Sequence, residues 1–235
     1  KTSNELNFAI NKKILLINAE SLSEIMEINR IAKLKKKKVR IGVRLNPNTD
    51  AKTLSQISTG KKENKFGVNK NTFYKIVDFC NNSKNIDLKC LSVHIGSQIL
   101  DNKPYEKMLS VLNKIIKKID YKFDFIDLGG GMGITYNQNN KKLDYKKYNE
   151  QIKKFLKKHN SKIIFEPGRS IVGNIGSLIS QIIYIKKNNK KDFIILDTAM
   201  NDLMRPALYG ATHKILPSIK KNQRSFRTYE FVGPI

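Results

Sequence analysis

The sequence predicts an α/β chain whose alternating strands and helices give way to a β-rich stretch. Five successive steps, each of about thirty residues, place a short apolar strand before a segment with apolar residues at helical spacing. Polar or glycine-rich groups cluster where each of those strands ends. From Ile171 onward the rhythm changes to strand-like runs with no full helix between them.

In order, Ser3–Ile10 reads as helical and Ile14–Ile17 as the first strand. Ser21–Lys35 follows as a helix, with Leu22, Ile25, Met26, Ile28 and Ala32 at roughly helical spacing and Ser21 as its N-cap. Val39–Leu45 is a strand closed by Asn46-Pro47-Asn48, and a long polar loop reaches Val68. Thr72–Cys80 returns to helix through Phe73, Ile76, Val77 and Cys80. Leu88–Ile95, Phe123–Leu128 and Ile163–Phe165 are the next strands. Between them lie Tyr105–Ile119, with Met108, Val111, Leu112, Ile115 and Ile119 on one face, and the very basic helix Tyr145–Lys158. Leu178–Ile185 and Phe193–Leu196 are strand-like.

Such alternation builds a parallel sheet with helical crossovers, as an open doubly wound sheet or a closed (β/α)8 barrel. Both place ligand chemistry at the carboxyl ends of the strands. Five strands in a chain that opens inside a helix imply about three further β/α units upstream if the sheet is a barrel. Residues 1–170 are then expected to be the later part of that barrel and 171–235 the beginning of a β-rich second domain, with both ends reading as cut.

Composition narrows the function classes. The formal charge is +25, but Lys supplies 38 of the 45 basic residues and Arg only 7. Asn (25) and Ile (31) are inflated alongside Lys, as A/T-rich codons would produce without selection for a basic surface. The lysines dot every predicted helix instead of gathering with aromatics on one face, so no nucleic-acid partner is expected. No run approaches the ~18 apolar residues of a membrane span, and no membrane partner is expected. Cys80 and Cys90 form no C-x-x-C motif, which fits a reducing cytosol. With His94, His159 and His213 scattered, no metal site is expected.

The strand ends carry the chemistry. After Asp127-Leu128, Gly129, Gly130 and Gly131 let backbone N–H groups approach an anion such as a phosphate, or simply make a tight turn. The dinucleotide spacing G-x-G-x-x-G is absent. A likeness to the first motif of S-adenosylmethionine-dependent methyltransferases suffers from position, because three β/α steps precede these glycines. His94 is either a core histidine or, beside Gly96-Ser97, a flat imidazole against a flat cofactor, with Ser97 as a hydroxyl donor. Glu166-Pro167-Gly168-Arg169 leaves a carboxylate and a guanidinium at one strand mouth, as a structural ion pair or as site groups. Arg205 has the fork geometry for a carboxylate, and Tyr209 lies four residues on.

Taken in order, His94-Ile95-Gly96-Ser97-Gln98, Gly129-Gly130-Gly131, Glu166-Pro167-Gly168-Arg169, Met200-to-Tyr209 and Val232-Gly233-Pro234-Ile235 resemble the diaminopimelate decarboxylase family. These are pyridoxal phosphate enzymes of the alanine-racemase-like (β/α)8 barrel class. Ser58-Thr59-Gly60 through Lys65-Phe66-Gly67-Val68 matches the family as well, so the likeness runs along essentially the whole chain. Met200-to-Tyr209 is its most specific part, because related ornithine decarboxylases share the other motifs but not this one.

The resemblance implies pyridoxal 5'-phosphate as cofactor and decarboxylation of meso-2,6-diaminopimelate to L-lysine in a cytoplasmic homodimer. It implies that Gly129, Gly130, Gly131, Gly168 and the Arg169 backbone hold the phosphate, helped by Ser97. His94 would lie against the pyridoxal ring and Glu166 would pair with its nitrogen. Arg169, Arg205 and Tyr209 would bind the distal end of the substrate. The family's Schiff-base lysine lies upstream of residue 1 and its cysteine downstream of Ile235, so no catalytic residue of either kind is expected within this chain. The chain alone is therefore expected to be inactive. A decarboxylase for ornithine, arginine or carboxynorspermidine, a non-catalytic relative and a basic nucleic-acid-binding protein are the alternatives.

Overall fold

The computed structural model describes residues 1–51, 65–136, 142–219 and 227–234. Residues 58–64 of the Ser58-to-Val68 motif lie outside the described residues, as does Ile235. The chain divides into two compact units, 1–134 with 141–174, and 135–140 with 175–235.

In the first unit the elements run α1 (Ser3–Lys12), β1 (Ile17–Ala19), α2 (Leu22–Leu34), β2 (Val39–Arg44), α3 (Lys70–Asn81) and β3 (Ile86–Ser92). They continue as α4 (Asn102–Ile119), β4 (Phe125–Asp127), α5 (Tyr145–Leu156), β5 (Lys162–Ile164) and the short α6 (Arg169–Val172). The strands form one parallel sheet in sequence order, β1-β2-β3-β4-β5. That is the expected alternation, with a helix in every crossover. Ile25 and Ile28 of α2, Phe73 and Ile76 of α3, and Tyr105, Met108 and Leu112 of α4 are fully buried with Ile41, Leu88 and Ile126 of the sheet. Each such aliphatic or aromatic side chain stabilises the fold by roughly 1.5–3 kcal/mol.

Local sequence starts these helices where side chains can cap them. Thr2 and Glu5 form a reciprocal capping box on α1. Ser21, Asn69 and Asp144 each accept a hydrogen bond from a backbone N–H in the first turn of α2, α3 and α5. Ser21 is thus the N-cap that the sequence predicts.

The first strand departs from expectation. Pairing begins at Ile17 against Ile41, while Ile14 and Leu15 are exposed. The reason is α1, which runs to Lys12 and is capped by Lys13 in the left-handed region (φ 52). The residues after that reversal return the chain to the sheet before they can join it.

The second unit contains β6 (Ile182–Lys186), β7 (Phe193–Leu196), α7 (Arg205–Tyr209) and β8 (Glu230–Val232). β6 pairs antiparallel with β7, and β8 pairs parallel with it. This is the β-rich character expected after Ile171. Among the described residues no helix is long and apolar enough to cross a membrane. No group of three or more His, Cys, Asp or Glu there is arranged to hold a metal ion.

Both cysteines are buried free thiols, Cys80 on α3 and Cys90 on β3. Burial pushes each thiol up to about 12. Neither is expected to react with iodoacetamide at pH 8 until the protein unfolds. Mass spectrometry of the folded and urea-unfolded protein checks this, and rapid labelling of either thiol in the folded state contradicts it.

Candidate active site

The parallel register lines up the carboxyl ends of β3, β4 and β5. Past the strands the pairing continues: Val93 N donates to Asp127 O, Leu128 N to Ile164 O, and Glu166 N to Gly129 O at 2.8 Å. These bonds bring His94, Gly129–Gly131 and Glu166 into one cluster, although 72 positions separate His94 from Glu166 in the chain.

Gly130 lies so close to β5 that a Cβ there would overlap the Glu166 carbonyl oxygen. Gly131 has φ +91, and its carbonyl accepts from Ile99 N at 2.9 Å. Gln98 clamps the far side of the turn, donating from Nε2 to Ile134 O at 2.6 Å and accepting from Ile134 N at 3.2 Å. Underneath, the buried Tyr105 hydroxyl donates to Gly130 O at 3.4 Å.

Gly130 N–H donates to His94 Nδ1 at 3.1 Å, so this ring nitrogen carries no proton. Burial and the nearby Arg44 cation lower the pKa of His94, against a smaller opposing effect of Asp127. The site therefore holds a neutral imidazole with its proton on Nε2.

Glu166 is exposed as a residue, at the strand end paired with the glycine turn. Desolvation first, then the like charge of Asp127 and a hydrogen bond shared with it, raise its pKa, while Arg44 opposes the rise. Arg44, at the end of β2, pairs with Glu20 at 2.8 Å and lies over the Phe66 ring, 4.9 Å from its centroid. Glu20 also accepts from Gly67 N at 3.1 Å.

Asp127 is the most enclosed ionisable group of the cluster, 1% exposed. Its Oδ2 accepts from Asn18 Nδ2 at 2.9 Å and Ser92 Oγ at 3.1 Å, and its Oδ1 from Gly129 N at 2.9 Å. Asn18 stands on β1 and Asp127 on β4, with β2 and β3 between them in the sheet. Such a bond requires the sheet to curl so that these side chains meet on its concave face. Gly42 of β2 leaves the space, since a Cβ there would overlap Asn18 Oδ1. The β2–β3 register shifts at this point, between Ile41 and Gly42.

Of the remaining expected site residues in this unit, Ser97 is half-buried, and Gly168 is exposed and caps α6, whose first residue is Arg169. Arg205 and Tyr209 open and close α7 in the second unit. There the Arg205 guanidinium lies 5.3 Å from the Tyr136 ring centroid and 5.7 Å from that of Tyr209. His213 packs edge-on against Tyr136 at 5.6 Å. The Arg205 Nε has no hydrogen-bond partner among the described residues.

Sequence reasoning missed Asn18, Gly42, Ser92 and Arg44 as members of the site. For Asn18 and Arg44 a signal existed, because both stand at or next to a strand's carboxyl end. Ser92 also ends its strand, whereas Gly42 lies inside β2, where nothing distinguishes it from a packing residue.

These residues suit a flat, anionic, nitrogen-bearing cofactor such as pyridoxal phosphate. A neutral imidazole presents an uncharged ring for stacking, and a carboxyl can pair with a ring nitrogen. The glycine turn brings backbone close without side chains, and Gly131 N–H donates to no acceptor among the described residues.

Comparison with known proteins agrees with this geometry. Residues 1–173 match the family model described as pyridoxal-dependent decarboxylase, pyridoxal binding domain. The chain is 39% identical to the diaminopimelate decarboxylase of Aquifex aeolicus, over all of this chain and 56% of that protein. It is 38% identical to the enzyme of the same name from Helicobacter pylori, over all of this chain and 58% of that protein. The chain thus spans a little over half the length of the curated relatives it matches. The crystal structure of the Helicobacter pylori diaminopimelate decarboxylase complexed with L-lysine superposes with a TM-score of 0.91 at 38% identity, covering all of this chain and 59% of that one. The "m. jannaschi" diaminopimelate decarboxylase structure gives a TM-score of 0.87 at 30% identity, covering all of this chain and 56% of that one. On the family match and the shared fold, the chain belongs to the pyridoxal-dependent decarboxylases, with residues 1–173 matching the family's pyridoxal binding domain.

Proposed function

We propose that this chain supplies the cofactor-holding part of an enzyme that decarboxylates meso-2,6-diaminopimelate to L-lysine and carbon dioxide. The observation that carries the reading is the convergence of His94, the Gly129–Gly131 turn and Glu166 at adjacent strand ends. When bound, pyridoxal phosphate supplies the electron sink for the pair left behind as carbon dioxide departs.

This chain's own residues would do the holding. Gly131, Gly168 and the Arg169 backbone offer N–H groups to the phosphate, with Ser97 as a hydroxyl donor. The Gly129 and Gly130 N–H groups are already given to Asp127 and His94, so these two glycines shape the turn around the anion. His94 stacks on the ring, and Glu166 holds a proton at the ring nitrogen. Arg169, Arg205 and Tyr209 recognise the distal amino-acid group of the substrate. A carboxylate there needs paired donors, which an apolar pocket cannot provide. The aromatic setting of Arg205 between Tyr136 and Tyr209 keeps its fork oriented. The reading includes a cytoplasmic homodimer, checked by light scattering on the purified protein.

The test is an assay of the full-length natural gene product. Pyridoxal phosphate is expected to bind, and carbon dioxide to be released from meso-diaminopimelate in preference to ornithine, arginine and carboxynorspermidine. Pyridoxal phosphate uptake without release from diaminopimelate overturns the substrate, and failure to take up the cofactor overturns the whole reading.

A further inference from the structure

We propose that His213 is a positioning residue for substrate recognition, holding the Arg205 guanidinium, through the Tyr136 ring, in place for the distal carboxylate of the substrate. The inference rests on the carboxylate-binding reading of Arg205 and extends it to a side chain eight positions further along the chain.

Local structure alone gives Arg205 little support. α7 is five residues long, too short to be stable by itself, and no side chain caps its start. Its entry is set by the preceding turn, where Ala199 N donates to Asp202 Oδ2 at 2.9 Å and Leu203 N to Ala199 O at 3.0 Å. Its exit is set by Gly210, whose left-handed backbone (φ 57) reverses the chain and whose N–H donates back to Arg205 O and Pro206 O. Between these anchors Arg205 and Tyr209, four positions apart, share one helix face.

The guanidinium is then confined by rings. Its Nε is buried and has no hydrogen-bond partner among the described residues. The ring centroids of Tyr136 and Tyr209 lie 5.3 and 5.7 Å away. Tyr209 comes with the helix, but Tyr136 lies 69 positions earlier in the chain and joins the same unit. After the reversal at Gly210, His213 reaches Tyr136 and meets it edge-on, at 78° with centroids 5.6 Å apart. The contacts thus run from His213 to Tyr136 to Arg205. His213 Nε2 is buried and unpartnered among the described residues, so the ring braces by shape and not through that nitrogen.

An arginine confined before its ligand arrives loses less side-chain freedom on binding. Loosening one cation–π contact shifts such an equilibrium by about two- to fivefold.

The experiment measures kcat, KM for meso-diaminopimelate and pyridoxal phosphate uptake on the full-length natural gene product and its variants. His213→Ala should raise KM about three- to fivefold and leave kcat and uptake within about twofold of the parent. His213→Phe should restore the parent KM, because a benzene ring supplies the same edge. A merely structural loss would lower kcat and uptake as well. The proposal is overturned if His213→Ala leaves KM unmoved or lowers kcat and uptake together. It is also overturned if His213→Phe loses as much as His213→Ala, which would assign the effect to the imidazole nitrogens. Should His213→Ala not fold, Tyr136→Leu decides, and an unmoved KM there overturns the brace. Arg205→Ala separates the inference from the reading beneath it. An unmoved KM in that variant, or no carbon dioxide from meso-diaminopimelate with the parent, removes the carboxylate role of Arg205 and the brace with it. A raised KM in Arg205→Ala beside an unmoved KM in His213→Ala removes the brace alone.

Discussion

Gly130→Ala is expected to destabilise the protein by about 3 kcal/mol and to weaken pyridoxal phosphate uptake by about tenfold or more. The added Cβ would overlap the carbonyl oxygen of Glu166 and crowd its carbonyl carbon. Neither is the movable end of a side chain. Relief requires the turn after β4 to separate from the segment after β5, which breaks the Glu166 N–H to Gly129 O bond and displaces the Gly130 N–H from His94. The losses in stability and in uptake should therefore appear together. Urea unfolding measures the first and fluorescence quenching by pyridoxal phosphate in the full-length protein the second. Stability within 1 kcal/mol of the parent would show that the strand ends tolerate more separation than this packing implies.

Tyr105→Ala should cost about 4 kcal/mol, the range for removing a fully buried aromatic ring. Tyr105 is 0% exposed, packs 4.4 Å from the Tyr148 ring centroid and reaches the underside of the glycine turn. The contrast with Tyr105→Phe separates packing from hydrogen bonding. The hydroxyl bond to Gly130 O is long at 3.4 Å, so the Phe variant should lose only about 1 kcal/mol. Denaturant melts of the two variants side by side check this. Equal losses would assign the effect to the hydroxyl and contradict the packing account.

Much of the architecture is legible without coordinates, because it depends on spacing along the chain. Most apolar residues at helical intervals on α2, α3 and α4 end up buried, although Met26 on α2 is exposed, and Ser21 starts its helix as its side chain requires. The first strand is misplaced because the left-handed cap at Lys13 adds a reversal that apolar content cannot reveal. The site divides in the same way. His94, the glycines and Glu166 stand out because each follows a strand. Asp127 and Ser92 also end strands, but spacing alone does not tell whether a polar residue there faces helices or the concave side.

The sequence by itself therefore determines the order of elements, the position of the glycine turn and the family likeness, all of which are written in local spacing. Tertiary structure alone decides that Asn18 donates to Asp127 across 109 positions of chain and that His94 accepts a hydrogen bond at Nδ1 from Gly130 N–H. Those meetings depend on the curl of a five-stranded sheet and on a register shift at one glycine. The strength with which a carboxyl keeps its proton is set by the charges and donors folded against it, and these come from strands far apart in the chain.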